Sequence, residues 1–161
     1  MTSIKSFPRY TINEKSEVYD TLKERIIKQC NHSEGYKCVH LVDENGNDKK
    51  RLIHRLIFEN FILKNGDTMP KEIDHIDNNR SNNQIANLRA ATRQENSRNK
   101  PKRKDNSSGY KNIIITKWET YRVQICISKD VRYIKTFKIL QDAIDYSIRI
   151  MDEYHGDFAR H

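Results

Sequence analysis

The chain has little of what staples small secreted proteins together. Its three cysteines, Cys30, Cys38 and Cys126, are odd in number and show no CxxC spacing. That argues against a structural zinc site or a disulfide framework and for a reduced, intracellular protein. There is no run of about 18 apolar residues, and Met1 to Tyr10 lacks the apolar core of a secretory signal, so a cytosolic chain is expected. Hydrophobic residues make up 35% against 32% charged, too few for one large core, which points to small modules joined by polar segments. No internal repeat is evident. Acidic residues are also in deficit, with 22 Asp and Glu against 30 Lys and Arg, a net charge of +8. A surplus of that size suits a polyanionic partner, because phosphates neutralised by Lys and Arg release their condensed counterions.

What is present divides along the chain. Residues 7 to 53 read as short strands around Tyr10-Thr11-Ile12-Asn13, Glu17-Val18-Tyr19-Asp20 and Tyr36 to Val42, with Asp43-Glu44-Asn45-Gly46-Asn47 closing a hairpin. Leu52, Ile53, Leu56, Ile57, Phe58, Phe61 and Ile62 recur at helical spacing, and Asn65-Gly66 ends that helix. After Pro70 come a strand carrying Asp74-His75, a polar loop from Asn78 to Asn83, and a second strand from Leu88 to Ala91. Thr92-Arg93-Gln94-Glu95 is a capping-box pattern that places Asn96 early in a helix. Arg98, Lys100, Lys102, Arg103 and Lys104 form a basic run without an acid, read as an exposed linker that is either a solvated tether or a track for a DNA backbone. Beyond it, three strands (roughly 110–116, 120–128 and 131–137) precede a helix from about Leu140 to Tyr154. The helix should cover the sheet with Leu140, Ala143, Ile144, Ile148 and Met151, leaving the sheet's other side open.

The chemistry concentrates in Asp74-His75-Ile76-Asp77-Asn78-Asn79, Asn87-Leu88-Arg89 and Glu95-Asn96. A phosphodiester repels nucleophiles and leaves as a poor alkoxide; a bound divalent cation offsets both handicaps. Magnesium needs only one or two protein oxygens and keeps its other waters, a set that Asp74 and the Asn96 carboxamide can supply. His75, with an ordinary pKa near 6.5, is the candidate general base. Neighbours on a strand face opposite sides, so metal and attacking water would lie on either side of the pair or the backbone would be distorted. Asn99, one turn beyond Asn96, is the competing ligand position. His54 reads as a buried structural histidine and Asp77 as a loop-shaping carboxylate. Asn79, Asn82 and Asn83 also read as loop-shaping, with phosphate contact the lesser reading.

These linked elements resemble the ββα-metal motif of HNH endonucleases, in the DH…N…N form of phage and intron homing enzymes. His54-Arg55-Leu56 and Phe58 match that family's upstream helix, and Tyr10 to Tyr19 resembles the small module that often precedes it. The resemblance implies that Asp74 and Asn96 bind the metal, that His75 activates water, and that Asn87 holds the loop and helps orient His75. Asparagine at 96, where many members have histidine, implies Mg²⁺, with Mn²⁺ substituting, over Zn²⁺.

Residues 107 to 160, through Ser108-Gly109-Tyr110-Lys111-Asn112-Ile113, Trp118, Tyr121 to Ile125 and His155-Gly156-Asp157-Phe158-Ala159, resemble the Apetala/ERF DNA-binding domain. That family lays a three-stranded sheet in the major groove. The matched positions are Lys111, Thr116, Trp118, Gln124, Cys126 and Tyr133, with Arg122 beside Gln124; Lys111, Arg122, Lys135 and Trp118 would position the backbone and Gln124 could read adenine. Ile114, Thr116 and Cys126 replace the arginines that read guanine in the family, and Asn112 replaces a glycine. The preferred sequence therefore does not carry over.

The expected fold is α+β: a small N-terminal β module (1–50), a ββα-metal nuclease core (51–100), a basic linker (101–108), and a three-stranded antiparallel sheet packed on one helix (109–161). The expected function is a metal-dependent endonuclease nicking double-stranded DNA as a monomer. The alternative is a DNA-binding regulator with an inactive site, which would bind in chelator and cut nothing when Mg²⁺ is added.

Overall fold

The computed structural model describes residues 1–160. They cluster into two compact units, Met1–Thr92 and Arg93 onward.

The first unit begins with an antiparallel sheet of β1 (Thr2–Ile4), β2 (Phe7–Ile12), β3 (Val18–Asp20) and β4 (Arg25–Ile26) in chain order. Phe7, Tyr10 and Ile12 of β2 face inward with Val18 of β3. The Arg9 guanidinium donates to both oxygens of Asp20, at 2.8 and 2.5 Å. That contact holds the Asp20 carboxyl down at about 2. A second antiparallel sheet joins β5 (Cys30–Asn31), β6 (Lys37–Val42) and β7 (Asp48–Leu52). The β6–β7 turn closes as the Asn-Gly signal predicts: Asp43 Oδ1 accepts the Asn45 and Asn47 amides at 3.0 and 2.9 Å, and Gly46 takes φ 81°.

Helix α1 (Ile53–Ile57) follows and opens into a π-helical turn, Phe58–Ile62. The expected single helix thus widens halfway. Asn60 Nδ2 donates to the Leu56 carbonyl at 2.8 Å, and the Leu63 amide reaches back to Phe58 at 2.8 Å. The helix ends at Ile62, before the Asn65-Gly66 stop that the sequence suggested. Strands β8 (Glu72–His75) and β9 (Leu88–Ala91) complete the unit as an antiparallel pair in which Asp74 stands opposite Arg89 and His75 opposite Leu88.

Two expectations change here. One cluster of buried side chains runs from Ile4, Tyr10 and Val18 through Val39, Ile53 and Phe58 to Ile73 and Leu88, so there is no core boundary at residue 50. The N-terminal strands and the hairpin that carries Asp74 share that core. Second, Cys30 and Cys38 stand opposite each other on β5 and β6, Cα atoms 5.2 Å apart, and are joined as a disulfide. The expectation of a wholly reduced chain missed this because an eight-residue spacing reveals a cross-strand pair only once the register is known. Cys126 is free and exposed.

The second unit contains α2 (Arg93–Asn99), β10 (Ile113–Ile115), β11 (Tyr121–Cys126), β12 (Arg132–Phe137) and α3 (Leu140–His155). The three strands form an antiparallel sheet in chain order. Ile113, Val123 and Ile125 pack with Ala143, Ile150 and Met151 of α3. Ile148, expected on that face, is partly exposed; Ser147 and Ile150 occupy the buried stripe instead, one turn apart. Asn112 adopts φ 66°, the left-handed conformation that glycine favours and asparagine tolerates. Among the described residues no helix is long and apolar enough to cross a membrane.

Candidate active site

The site is built at the end of β8. Asp74 and His75 are 3% and 4% exposed, an unusual depth for adjacent ionisable residues. Arg89, across the hairpin, places Nε and Nη2 on Asp74 Oδ2, both at 2.8 Å. The chain then turns tightly: the Asn78 amide donates to the His75 carbonyl at 2.8 Å, with Asn78 at φ 63°.

Asn87 fastens the loop that follows. Its Oδ1 accepts the Asp77 amide at 3.0 Å, while its Nδ2 donates to Asp77 Oδ1 at 2.9 Å and the Asn82 carbonyl at 2.8 Å. Its own carbonyl accepts the Ile76 amide at 2.9 Å. Burial pushes the Asp77 carboxyl up, but hydrogen bonds from Asn82, the Asn79 amide and Asn87 outweigh that and hold it below its ordinary range.

The His75 ring rests among aromatic neighbours. His54 of α1 meets it edge-on at 5.2 Å between centroids, and Tyr36 lies 5.9 Å away. His75 Nε2 is 3.2 Å from Asn83 Oδ1. Burial lowers the His75 pKa; the Asn83 hydrogen bond and the carboxylates of Asp77 and Asp74 oppose it without cancelling it. The imidazole is therefore neutral at pH 7, the form a general base needs. Sequence reasoning missed the contacts of His54, Tyr36 and Asn83 with this ring. The HRL helix gave the only hint, for His54, since an aromatic neighbour leaves no local spacing signature.

His54 is buried with Nδ1 unpartnered, and burial pushes its pKa down to about 3. The unfolded chain, titrating near 6.5, binds that proton first, so this contribution to stability is complete above pH 6.5 and is lost as pH falls toward 3. The slope from this one group approaches ~1.4 kcal/mol per pH unit. Melting temperatures from pH 7.5 to 4.5 should therefore fall more steeply for wild type than for His54→Phe. Parallel profiles would show that His54 is protonated in the folded protein as readily as in the unfolded one.

As to metal ligands, no group of three or more His, Cys, Asp or Glu is gathered among the described residues. A carboxylate such as Asp74 suits a hard ion that keeps most of its waters. Asn96 lies in α2 and belongs to the second unit, as does its competitor Asn99, which is buried.

The sheet face of the second unit differs from expectation in one strand, β12. Opposed residues share a face, and the register pairs Ile114 with Arg122, Gln124 with Ile134, Cys126 with Arg132 and Arg122 with Thr136. Those residues form the side away from α3. Gln124 and Arg122 are there as predicted. Tyr133 and Lys135 are not: they pair with Ile125 and Val123 on the side facing α3. The Tyr133 hydroxyl donates to Tyr154 at 2.7 Å, and Lys135 Nζ lies 5.2 Å from the rings of Phe137 and Tyr146. The phase of β12 misled because Ile134, on the open side, is 58% exposed despite being apolar. Arg132 is the open-face cation that sequence reasoning overlooked.

Lys111 is also turned inward. Its ammonium donates to the Arg98 carbonyl, and burial pushes its pKa down to about 8. Thr116 shares a hydroxyl hydrogen bond with Thr120 at 2.7 Å. Trp118 is 72% exposed at the β10–β11 turn, with Lys117 Nζ 4.5 Å from its ring centroid. The basic run is more than a tether, for it walls a groove of about 740 Å³. Lys100, Lys102 and Arg103 line one side, Gln124, Cys126 and Arg132 of the sheet the other.

Comparison with known proteins places this geometry. Residues 51–98 match the family described as HNH endonuclease. An HNH endonuclease of Acanthamoeba polyphaga mimivirus is 33% identical over 82 residues, covering 51% of this chain and 20% of that protein. The HNH homing endonuclease I-HmuI, whose structure concerns DNA binding and cleavage, superposes with a TM-score of 0.52 at 29% identity. The match covers 61% of this chain and 55% of that one. The chain thus spans a fifth of the viral relative's length and about half of the homing enzyme's. Over residues 51–98 the chain carries an HNH endonuclease domain.

Proposed function

We propose that this protein is a homing-type HNH endonuclease that hydrolyses one strand of duplex DNA per active site, acting as a monomer. The observation that carries the reading is the buried Asp74-His75 pair on β8, in front of an asparagine-fastened loop and inside the segment that matches the family. Asp74 and Asn96 would hold one divalent ion, Mg²⁺ with Mn²⁺ able to substitute. The bound ion supplies charge neutralisation at the phosphate and stabilisation of the leaving oxygen. His75, neutral in its buried setting, takes the proton of the attacking water. Asn87 keeps the loop, and with it His75, in place. The water oxygen bonds to phosphorus as the P–O3′ bond breaks, and the departing O3′ takes a proton from solvent, which leaves a 5′-phosphate and a 3′-hydroxyl.

In the same reading the second unit is an Apetala/ERF-like module that carries target DNA on its open sheet face. Support comes from the three strands backed by one helix, from Asn112 in the left-handed turn, and from Arg122 and Arg132 on the side away from α3. Each arginine that neutralises a phosphate contributes about 0.9 to the slope of log affinity against log salt. Arg122→Ala and Arg132→Ala should each lower that slope by about that amount in fluorescence anisotropy titrations. Trp118→Ala should weaken binding without changing the cleavage step. Lys135→Ala, on the helix side, should leave the slope unchanged. A loss at Lys135 with none at Arg122 or Arg132 would put DNA elsewhere.

Supercoiled plasmid tests the activity directly. Open circles formed with Mg²⁺ or Mn²⁺ and not with EDTA are expected, from plasmids that carry DNA of the source genome. Linear product without an open-circle intermediate would argue for paired action. DNA binding in EDTA without any cutting in metal would favour a regulator with an inactive site.

A further inference from the structure

The loop between β8 and β9 contains five asparagines, and one of them reaches the candidate base itself. Asn83 is 5% exposed, and its Oδ1 lies 3.2 Å from His75 Nε2. A carboxamide can be built either way round, and the neighbour on its other side decides which is right. Asn83 Nδ2 lies 3.3 Å from the Ser81 carbonyl oxygen, which can only accept. The amide nitrogen must therefore point at Ser81 and the oxygen at His75. That oxygen in turn can only accept, so His75 Nε2 must carry a proton to meet it. A neutral imidazole with its proton on Nε2 has its basic lone pair on Nδ1.

We propose that Asn83 is a positioning residue for the reaction, fixing the proton of His75 on Nε2 and the rotation of its ring, so that Nδ1 is the nitrogen that takes the proton from water. The proposal rests on the assignment of His75 as the base. Asn87 plays a different part, because its hydrogen bonds go to Asp77 and the loop backbone, whereas Asn83 acts on the ring. His54 and Tyr36 also meet the ring, but as aromatic contacts that limit its tilt and do not select a nitrogen.

The test separates acceptor chemistry from packing. Asn83→Asp keeps an oxygen acceptor at the same place; Asn83→Leu keeps the bulk and removes the acceptor. Single-turnover cleavage should fall ~10–100-fold in Asn83→Leu, the usual cost of losing such an outer hydrogen bond, and recover to within about threefold in Asn83→Asp. A purely structural role gives the reverse order, since a buried charge disturbs packing more than leucine does. That order would overturn the proposal. The imidazole nitrogen NMR signals of ¹⁵N-labelled full-length protein provide a readout independent of cleavage. Wild type and Asn83→Asp should show His75 protonated on Nε2 with a slowly exchanging proton, and Asn83→Leu should lose the slow exchange. A wild-type spectrum with the proton on Nδ1 would sink the assignment even if DNA is cut. The expected spectrum in a protein that cuts nothing would uphold Asn83's hold on the ring and remove the nuclease reading instead.

Discussion

His75→Ala is expected to slow DNA cleavage by ~10²–10⁴-fold, the range over which a positioned general base accelerates proton transfer, while leaving DNA affinity unchanged. The ring is buried in the first unit and Arg122 and Arg132 lie on the sheet of the second, so in the proposed reading chemistry and DNA contact draw on different residues. Truncation leaves Asn83 Oδ1 facing a space instead of a donor, which costs about 1–3 kcal/mol of stability. Cleavage at saturating enzyme, anisotropy with the same DNA and a urea melt on one preparation read the three quantities apart. A second prediction sharpens the first. If Asn83 acts only through the imidazole, then adding Asn83→Leu to His75→Ala lowers the rate no further, because residues that act as one unit are not additive. Cutting by His75→Ala at the wild-type rate would remove His75 as the base.

How much of this was legible beforehand follows the range of the interactions involved. The β8–loop–β9 hairpin and α2 were readable because a polar loop between two short extended segments and a capping box are local patterns. The Asp43–Asn47 turn was readable for the same reason. The Cys30–Cys38 bridge was not, since it depends on the β5–β6 register, and neither was the shared core that ties Ile4 and Tyr10 to Leu88. On the sheet of the second unit, β11 alternates cleanly and its open face was assigned correctly at Arg122 and Gln124. In β12 an exposed isoleucine breaks the alternation, and Tyr133 and Lys135 were placed on the wrong side. At the site, the identities of Asp74 and His75 were plain. Which of the loop asparagines touches the ring was not, because Asn79, Asn82, Asn83 and Asn87 are chemically identical and only the course of the loop distinguishes them.

Asp74→Ala should have the other large effect, and it combines two losses of separate origin. One is catalytic: on the proposed ligand set the ion loses its carboxylate, and metal-dependent cleavage should disappear. The other is structural. Asp74 is buried against Arg89, whose guanidinium rests on its Oδ2 at 2.8 Å, and Arg89 itself is largely covered. Removing one partner of a buried pair leaves the other charge less well compensated, at a cost of up to about 3–5 kcal/mol. Lost cleavage by Asp74→Ala could thus be blamed on unfolding. Two companions resolve it. Asp74→Asn keeps the shape and an acceptor for Arg89, so it should melt closer to wild type in urea yet cut little, because a neutral oxygen is a poorer ligand for a hard dication. Asp74→Ala combined with Arg89→Met removes the stranded cation and should regain most of the lost stability, but none of the cleavage. If the double variant regains both, the carboxylate matters for the Arg89 pair alone and the metal is held without it. Stability restored without cutting separates the two roles and leaves metal binding as what the chemistry requires of Asp74.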